Sequence, residues 1–246
     1  MNREKLINNN QVIVDLGLEV IKIANESNIP VRMFGGCAFW YLCRNSRNWL
    51  ISNSRKIKDI DLVCLFSNFP ILLEIFKKMK FVECTNKYNF TIHKRRQFNY
   101  QDILVEVVFD HLNYCHKIDL QARIKLSYPT ISYSDLFLSK LQNINFMKTK
   151  NDYLDILAFL NEDFISENEF KKLNNVILIL SNDWRFYRTV TTNLKELNEF
   201  IKGNSQLPNV VNNIDYLLSS ISSSDKTIKW KITKMLPFYD RSIEVE

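Results

Sequence analysis

The chain contains the run Ile29-Pro-Val-Arg-Met-Phe-Gly-Gly36 and, further on, the run Lys58-Asp-Ile-Asp-Leu-Val-Cys-Leu65. The first run is apolar and ends in two of the protein's 4 glycines, which predicts a short buried strand that turns directly into a helix. The second run predicts another strand, with an acidic pair near its start. A strand that ends in Gly-Gly, followed by a strand that carries Asp-x-Asp, indicates a site for a nucleoside triphosphate and its metal ions.

The acidic pair is the reason to expect metal ions. Residues two apart on a strand point to the same face, so Asp59 and Asp61 can present both carboxylates to one place. Mg²⁺ takes oxygen ligands and is usually held by a few carboxylates together with substrate phosphates. We therefore expect Mg²⁺ or Mn²⁺ as the cofactor, with Asp59 and Asp61 as metal-binding, catalytic residues.

A pair of metal ions needs a third carboxylate that bridges them or activates the attacking group. The predicted strand Leu104-Val-Glu-Val-Val-Phe-Asp110 offers two, Glu106 and Asp110. Glu106 is flanked by valines and is costly to bury without a cation or a partner, whereas Asp110 lies at the strand end near solvent. We favour Glu106 as the third catalytic and metal-binding acid, and Asp110 stays as the alternative.

The two glycines have a role of their own. Without side chains, the backbone N–H groups of Gly35 and Gly36 can approach a phosphate closely, and the following helix points its N-terminal amides at the same anion. The P-loop pattern GxxxxGK[ST] does not occur in the chain. We expect these glycines to bind the triphosphate in a different kind of turn.

The order of strand and helix patterns predicts an α+β fold in two parts. We expect a mixed or antiparallel sheet with helices on one face, followed by an all-helical C-terminal half. The catalytic core is expected over residues 1–130 and the helical domain over residues 131–246. The predicted strands are residues 31–34, 57–65, 81–84, 90–92, 96–100 and 103–110. The predicted helices are residues 11–27, 37–50 and 70–79, one that begins at 134, and 153–160, 170–180, 184–202 and 210–221.

The composition is that of a globular chain, with 46% hydrophobic and 24% charged residues. A net charge of +6 and a pI near 9.0 mildly favour a polyanionic partner. The 5 cysteines form no CxxC pair and predict reduced thiols rather than a zinc site or a disulfide framework. The N-terminus lacks the apolar segment of a signal peptide, and no window approaches the ~18 consecutive apolar residues of a membrane span. We expect a cytoplasmic protein with no membrane partner.

Several motifs resemble those of the nucleotidyltransferase superfamily, whose members share the DNA polymerase β-like fold. The run Arg55-Lys-Ile-Lys-Asp-Ile-Asp-Leu62 resembles the Arg-x-x-x-Asp-Ile-Asp-Leu signature of nucleotidyltransferase toxins and related bacterial proteins. The other segments that are similar to a bacterial branch of this superfamily are Val105-Glu-Val-Val-Phe-Asp110, Tyr114-Cys-His-Lys-Ile-Asp-Leu120, Tyr128-Pro-Thr-Ile-Ser-Tyr-Ser-Asp-Leu-Phe-Leu-Ser-Lys-Leu-Gln142 and Asn151-Asp-Tyr-Leu-Asp-Ile-Leu157. The resemblance covers most of the chain from about residue 30.

This resemblance implies transfer of a nucleoside monophosphate from an NTP to an acceptor hydroxyl, with release of pyrophosphate. It implies that Lys140 lies over the nucleotide phosphates and that Arg55 or Lys140 offsets their charge. It also implies that an acid of the next helix, Asp152 or Asp155, belongs to the same site. The acceptor classes that it leaves open are tRNA, a protein side chain and a small molecule.

One residue departs from the family pattern, because Glu106 stands where the branch usually has an aspartate. Glutamate reaches one methylene further than aspartate. In a second interpretation, this longer reach relaxes the metal geometry and lowers or abolishes activity. In that interpretation the protein binds a nucleotide or RNA without catalysis. A third interpretation is a toxin–antitoxin component whose helical half binds a cognate partner protein.

Overall fold

The computed structural model describes residues 3–84, 95–143, 145–162, 174–203 and 206–236. Within them the chain forms a mixed sheet with helices and then a helical C-terminal half, as predicted. The described strands are β1 (Val31–Phe34), β2 (Asp59–Cys64), β3 (Val82–Glu83), β4 (Arg95–Tyr100), β5 (Ile103–Phe109), β6 (His111–Asn113) and β7 (Lys117–Asp119). The described helices are α1 (Arg3–Glu26), α2 (Gly35–Leu42), α3 (Arg47–Ser52), α4 (Phe69–Lys78), α5 (Tyr133–Leu141), α6 (Lys150–Asn161), α7 (Asn174–Leu180), α8 (Trp184–Ile201), α9 (Val210–Ser223) and α10 (Ile228–Met235).

The main sheet has five strands in the order β1-β2-β5-β4-β3. Strands β2 and β5 run parallel, and the other neighbouring pairs run antiparallel. The strand with the acidic pair and the strand with the predicted third acid are therefore neighbours at the centre of the sheet. Strands β6 and β7 form a separate two-stranded hairpin directly after β5.

Helices α1 and α4 cover one face of this sheet. A Cβ atom built on Gly17 of α1 would lie 3.2 Å from Ile60 of β2, so this helix lies closely on the strand. On α4, the ring of Phe76 packs edge-on against Phe98 of β4, with ring centroids 4.6 Å apart. Because successive strand residues alternate between faces, the acidic residues of β2 point away from these two helices. The acidic residues of β2 thus lie on the opposite face of the sheet.

The single helix predicted over residues 37–50 is wrong, because α2 ends at Leu42 and α3 begins at Arg47. Contacts from the far end of α6 hold the break. The carboxylate of Glu162 accepts hydrogen bonds from the backbone N–H groups of Ser46, at 2.7 Å, and Asn45, at 3.2 Å. A residue more than a hundred positions away supplies this interaction, so local periodicity could not show it.

Other boundaries differ less. Helix α1 begins at Arg3, earlier than predicted, while β1, β2, β4 and β5 agree with the predicted strands within two residues. The hairpin β6–β7 and helix α10 were not predicted. The predicted strand over residues 90–92 lies outside the described residues.

Three cysteines, Cys37, Cys43 and Cys64, are buried as free thiols, whereas Cys115 is exposed.

The helical half begins at α5, where the Ser132 hydroxyl accepts a hydrogen bond from the N–H of Asp135 and caps the helix. Helix α6 packs on α2, α3 and α5, and the buried apolar residues of both halves form one continuous cluster. The division of the chain near residue 130 remains a prediction. Among the described helices, none has both the length and the apolar character that a membrane span requires.

Candidate active site

The acidic pair of β2 lies beside the third acid in the sheet. Asp61 is directly opposite Glu106 in the parallel pairing of β2 with β5, and neighbouring strands are ~4.8 Å apart. Asp59 lies two residues earlier on the same face and is exposed, while Asp61 is half-buried. Burial raises the pKa of Asp61 to about 7, and the nearby carboxylates of Asp59 and Glu106 add to this increase. The structure thus concentrates negative charge around Asp61.

Gly35 lies directly against the Asp61 carboxylate. Strand β1 pairs with β2 so that Phe34 is opposite Asp61, and the chain turns into α2 at the next residue. Gly35 has φ +61°, in the left-handed region, and a Cβ atom there would lie only 1.8 Å from Oδ2 of Asp61. Both the backbone conformation and the space at this position require a glycine. The N-terminal amides of α2 consequently lie at the acidic site.

Gly36 meets a different neighbour. A Cβ atom at Gly36 would lie 2.6 Å from Nη2 of Arg55, so the absence of a side chain leaves room for the guanidinium. Asn10 of α1 fixes the segment that carries this arginine. The Asn10 amide donates to the Arg55 carbonyl and accepts from the Ile57 N–H, both at 2.9 Å. The buried Asn10 side chain therefore positions the approach to β2.

Arg55 and Lys140 are both held by acids of α6. The Arg55 guanidinium donates two hydrogen bonds to Asp155, each at 2.7 Å, and the pair is almost fully buried. Lys140 on α5 donates to Asp152 at 2.6 Å and lies 3.5 Å from Asp155. Burial alone would lower the pKa of Lys140, but Asp155 and Asp152 raise it above its ordinary value. Lys140 therefore remains a cation at the site.

The structure separates the two candidates for the third acid. Glu106 accepts hydrogen bonds from Arg95 and from Gln97 on β4, each at 3.2 Å. Asp110 lies just beyond β5, has φ +64°, and accepts a hydrogen bond from the Phe66 N–H at 3.1 Å. It is four residues further along the strand direction, or ~13 Å from Glu106 at ~3.3 Å per residue. Glu106, and not Asp110, is the acid next to Asp61.

Two cavities meet at Asp61, Lys140 and Asp152. The first has a volume of about 360 Å³ and an aromatic and amide lining that includes Phe34, Tyr114, Gln142 and Asn143. The second has a volume of about 230 Å³ and a largely basic rim, and its other lining residues are Gly36, Arg55, Lys56, Ile57, Lys58, Asp59, Thr149 and Asn151. The acids of β2 thus lie between an aromatic, amide-lined space and a basic one.

Tyr114 brings a hydroxyl group to the same acids. Although the residue as a whole is 41% exposed, burial of its hydroxyl raises the pKa of Tyr114 above its ordinary value. The carboxylates of Asp61 and Glu106 raise it further. The phenol stays protonated near neutral pH and can donate a hydrogen bond into the first cavity. Its ring also lies under the Arg95 guanidinium, with 5.7 Å between the guanidinium carbon and the ring centroid.

Sequence reasoning did not find Arg95, Gln97 or Tyr114. On β4, Arg95 and Gln97 occupy alternate positions, and the antiparallel pairing with β5 places Gln97 directly opposite Glu106. Neither strand alone encodes that pairing or its register. Tyr114 belongs to the hairpin that the sequence patterns missed. A signal for Arg95 and Gln97 could have come only from knowing which strand lies next to β5, whereas Tyr114 begins one of the segments that resemble the nucleotidyltransferase superfamily.

Raising the pH is expected to destabilise the metal-free protein through Asp61. The ordinary pKa of an aspartate is 3.8, whereas that of folded Asp61 is about 7. Between these values the folded state binds more protons than the unfolded chain, so stability decreases as the pH rises from about 4 to about 7 and then levels off. Melting temperatures in EDTA at pH 5 and pH 8 would measure this. Asp61→Asn should lose less on going to pH 8, and equal losses in both proteins would contradict the assignment.

The chain is similar in structure to solved nucleotidyltransferase-like proteins. The antibiotic-resistance factor ANT(2'')-Ia matches with a TM-score of 0.40 at 13% identity, over 87% of this chain and 93% of its own. An antigenic nucleotidyltransferase-like protein from Paracoccidioides brasiliensis matches with a TM-score of 0.42 at 15% identity, over 89% and 94%. A tRNA nucleotidyltransferase complexed with a primer tRNA and an incoming ATP analog matches with a TM-score of 0.28 at 13% identity, over 78% and 62%.

No family model matches the sequence, and no curated protein matches it. The three solved structures named above are nucleotidyltransferase-like, which is the class that the sequence motifs resemble. Their TM-scores of 0.28 to 0.42 and identities of 13% to 15% are too low for them to carry an assignment of activity. Any such assignment rests on the residues of the site.

Proposed function

We propose that this protein is a metal-dependent nucleotidyltransferase, which transfers a nucleoside monophosphate from an NTP to an acceptor hydroxyl and releases pyrophosphate. The observation that carries the proposal is the position of Asp61. This carboxylate lies opposite Glu106, two residues from Asp59, against a glycine that opens a helix, and between two cavities that share Lys140. An aspartate with only a structural role would not require two further carboxylates and a glycine turn beside it.

The residues fit a divalent cation that binds together with the nucleotide. Asp59 and Asp61 share one face of β2 and line the same basic cavity. Among the described residues, no three or more His, Cys, Asp or Glu side chains gather as a complete metal-binding group. Two carboxylates completed by phosphate oxygens and water are the usual donor set of Mg²⁺. When bound, the cation offsets the negative charge that the phosphates carry through the reaction.

The remaining residues bind and orient the triphosphate. The Gly35 turn and the N–H groups that open α2 can approach a phosphate without a side chain in the way. Lys140 lies next to both cavities and can exchange its contact with Asp152 for a phosphate oxygen. We assign Arg55 a positioning role. Its guanidinium is engaged with Asp155 and lies directly against the turn at Gly36.

The reaction also requires a base. The acceptor hydroxyl attacks the α-phosphorus, the bond to the pyrophosphate breaks, and the hydroxyl proton must leave. Glu106 is the carboxylate next to Asp61 that is positioned to take this proton. The acceptor classes remain tRNA, a protein side chain and a small molecule, and the positive net charge of the chain suits a polyanion such as tRNA.

Asp59→Asn and Asp61→Asn are each expected to lower transfer by about 10²–10³-fold, the effect of losing one electrostatic stabiliser of the transition state, because each variant weakens binding of the cation. Purified protein would be incubated with each α-labelled NTP, Mg²⁺ or Mn²⁺, and either total tRNA or cell lysate. Label on RNA, protein or small molecules would then be measured. Asp102→Asn is the matched control, because Asp102 is an exposed aspartate in the turn between β4 and β5. Equal labelling by all variants would contradict the site assignment.

A second candidate function is supported by the contacts of Glu106. Its carboxylate is engaged by Arg95 and Gln97, an arrangement that also suits a protein that binds a nucleotide or RNA without catalysis. The same experiment separates the two functions. An NTP-dependent increase in melting temperature with no labelled product in any fraction would support the non-catalytic binding protein.

A further inference from the structure

The side chains around Glu106 show how its charge is balanced. Gln97 lies directly across from Glu106, and Arg95 lies two residues along β4 on the same face of the sheet. Both donate to the same oxygen, Oε2, at 3.2 Å. The side chain of Glu106 is 13% exposed and that of Arg95 is 28% exposed, so the ion pair lies partly inside the protein.

The positive charge of Arg95 extends beyond Glu106. Arg95 lies on the face of the sheet where Glu106 is directly opposite Asp61, so the ion pair lies beside the carboxylates of β2. The Arg95 guanidinium also lies over the Tyr114 ring, which holds its plane in place. Arg95 therefore brings the planar charge of a guanidinium to this position.

This arrangement bears on the number of metal ions that the site takes. A site with two ions needs a carboxylate that ligates or bridges the second ion. Glu106 is the only one of the two third-acid candidates that lies beside Asp61, and its Oε2 atom already accepts two hydrogen bonds. The described residues also form no group of three or more potential ligands. A second ion would therefore have to compete with Arg95 for the carboxylate of Glu106.

We propose that Arg95 supplies the second positive charge of the site, so that the protein takes a single divalent cation on Asp59 and Asp61 together with its nucleotide. This inference rests on the proposed function and deepens it. Arg95 is a positioning residue in this assignment: it engages the Oε2 atom of Glu106 that a second ion would need, and it adds a positive charge on the same face of the sheet.

The number of bound ions can be counted directly. Free Mn²⁺ gives an electron paramagnetic resonance signal that is lost on binding to protein or to nucleotide, so a titration of the protein, compared with a protein-free titration of the same analogue, reports the ions held per chain. The α,β-methylene analogues of ATP, GTP, CTP and UTP would be added in turn, so that no turnover occurs. We expect one Mn²⁺ per wild-type chain in the presence of the analogue that binds.

Removing the competing charge should change the count. Arg95→Met leaves Glu106 available as a ligand and is expected to raise the count from one Mn²⁺ to two. Arg96→Met is the matched control and should leave it at one. Arg96 is the next residue, has a similar exposed fraction of 30%, and pairs with Glu83 at 3.5 Å on the other face of the sheet. Arg95→Lys, which keeps a cation, should also hold one ion.

The outcomes distinguish this inference from the function on which it rests. Two Mn²⁺ per wild-type chain would overturn the single-cation assignment and leave the nucleotidyltransferase proposal standing. A count of one in folded Arg95→Met would also overturn it, since Arg95 would then not be what excludes the second ion. If Mn²⁺ did not bind saturably with any analogue, or if its binding were unaffected by Asp59→Asn, the proposed function and this inference would both be overturned.

Discussion

Arg55→Met is expected to lower the free energy of unfolding by about 3–5 kcal/mol, the usual effect of leaving one member of a buried ion pair without its partner. The side chain of Arg55 is 5% exposed and that of Asp155 is 1% exposed, and two hydrogen bonds of 2.7 Å join them. Methionine fills much of the same volume but leaves the Asp155 carboxylate without its main partner. Urea unfolding followed by circular dichroism would measure the change.

Two further variants sharpen this prediction. Lys77→Met removes a lysine from an exposed pair with Glu74, at the same distance of 2.7 Å, and should cause no measurable change because both side chains are well solvated. Arg55→Met combined with Asp155→Leu should recover part of the lost stability, because no unpaired charge is left buried. If Arg55→Met proved no more destabilising than Lys77→Met, the pair would have to be more solvated than its burial indicates.

Gly35→Ala is expected to reduce nucleotidyl transfer by about 10²-fold or more, the scale associated with displacing a reacting group by about 1 Å. A Cβ atom at this position would lie 1.8 Å from Oδ2 of Asp61, so the carboxylate must move or the strand must shift. Alanine at φ +61° also costs about 1–2 kcal/mol of stability from the backbone alone. Labelling assays and urea unfolding on the same preparation would measure both effects.

The chain offers a matched control for the backbone part of this effect. Gly203 has φ +84°, and among the described residues no atom lies within 4 Å of a Cβ atom built on it. Gly203→Ala should therefore lose a similar amount of stability and keep wild-type transfer. If Gly35→Ala retained full activity while Gly203→Ala behaved as expected, the contact between the glycine turn and Asp61 would have no part in the reaction.

Much of the sheet could be predicted from local patterns. The strands at residues 31–34 and 57–65 agree with β1 and β2 because a short apolar run beside glycines, and alternation around Asp-x-Asp, are signals carried within each segment. The helix predicted over residues 37–50 failed because Glu162, remote in sequence, holds the backbone of Ser46. Local signals alone do not reveal a tertiary hydrogen bond of this kind.

For the candidate site, the sequence by itself determined the chemical groups. It supplied Asp59, Asp61, Glu106 and the two glycines, because these residue types at these spacings suit a metal and a phosphate, and the family resemblance added Lys140. Their roles remain proposals. What the sequence left open was which acid lies next to Asp61, and what surrounds that acid.

Only the tertiary structure decided those two points. The parallel pairing of β2 with β5 places Glu106 opposite Asp61, while Asp110 lies beyond the strand. The antiparallel pairing of β4 with β5 then brings Arg95 to the same carboxylate. Strand partners and register depend on the packing of the whole sheet, and a shift of one residue would turn every one of these side chains to the other face. The charge that balances Glu106 is therefore a property of the fold and not of any single segment.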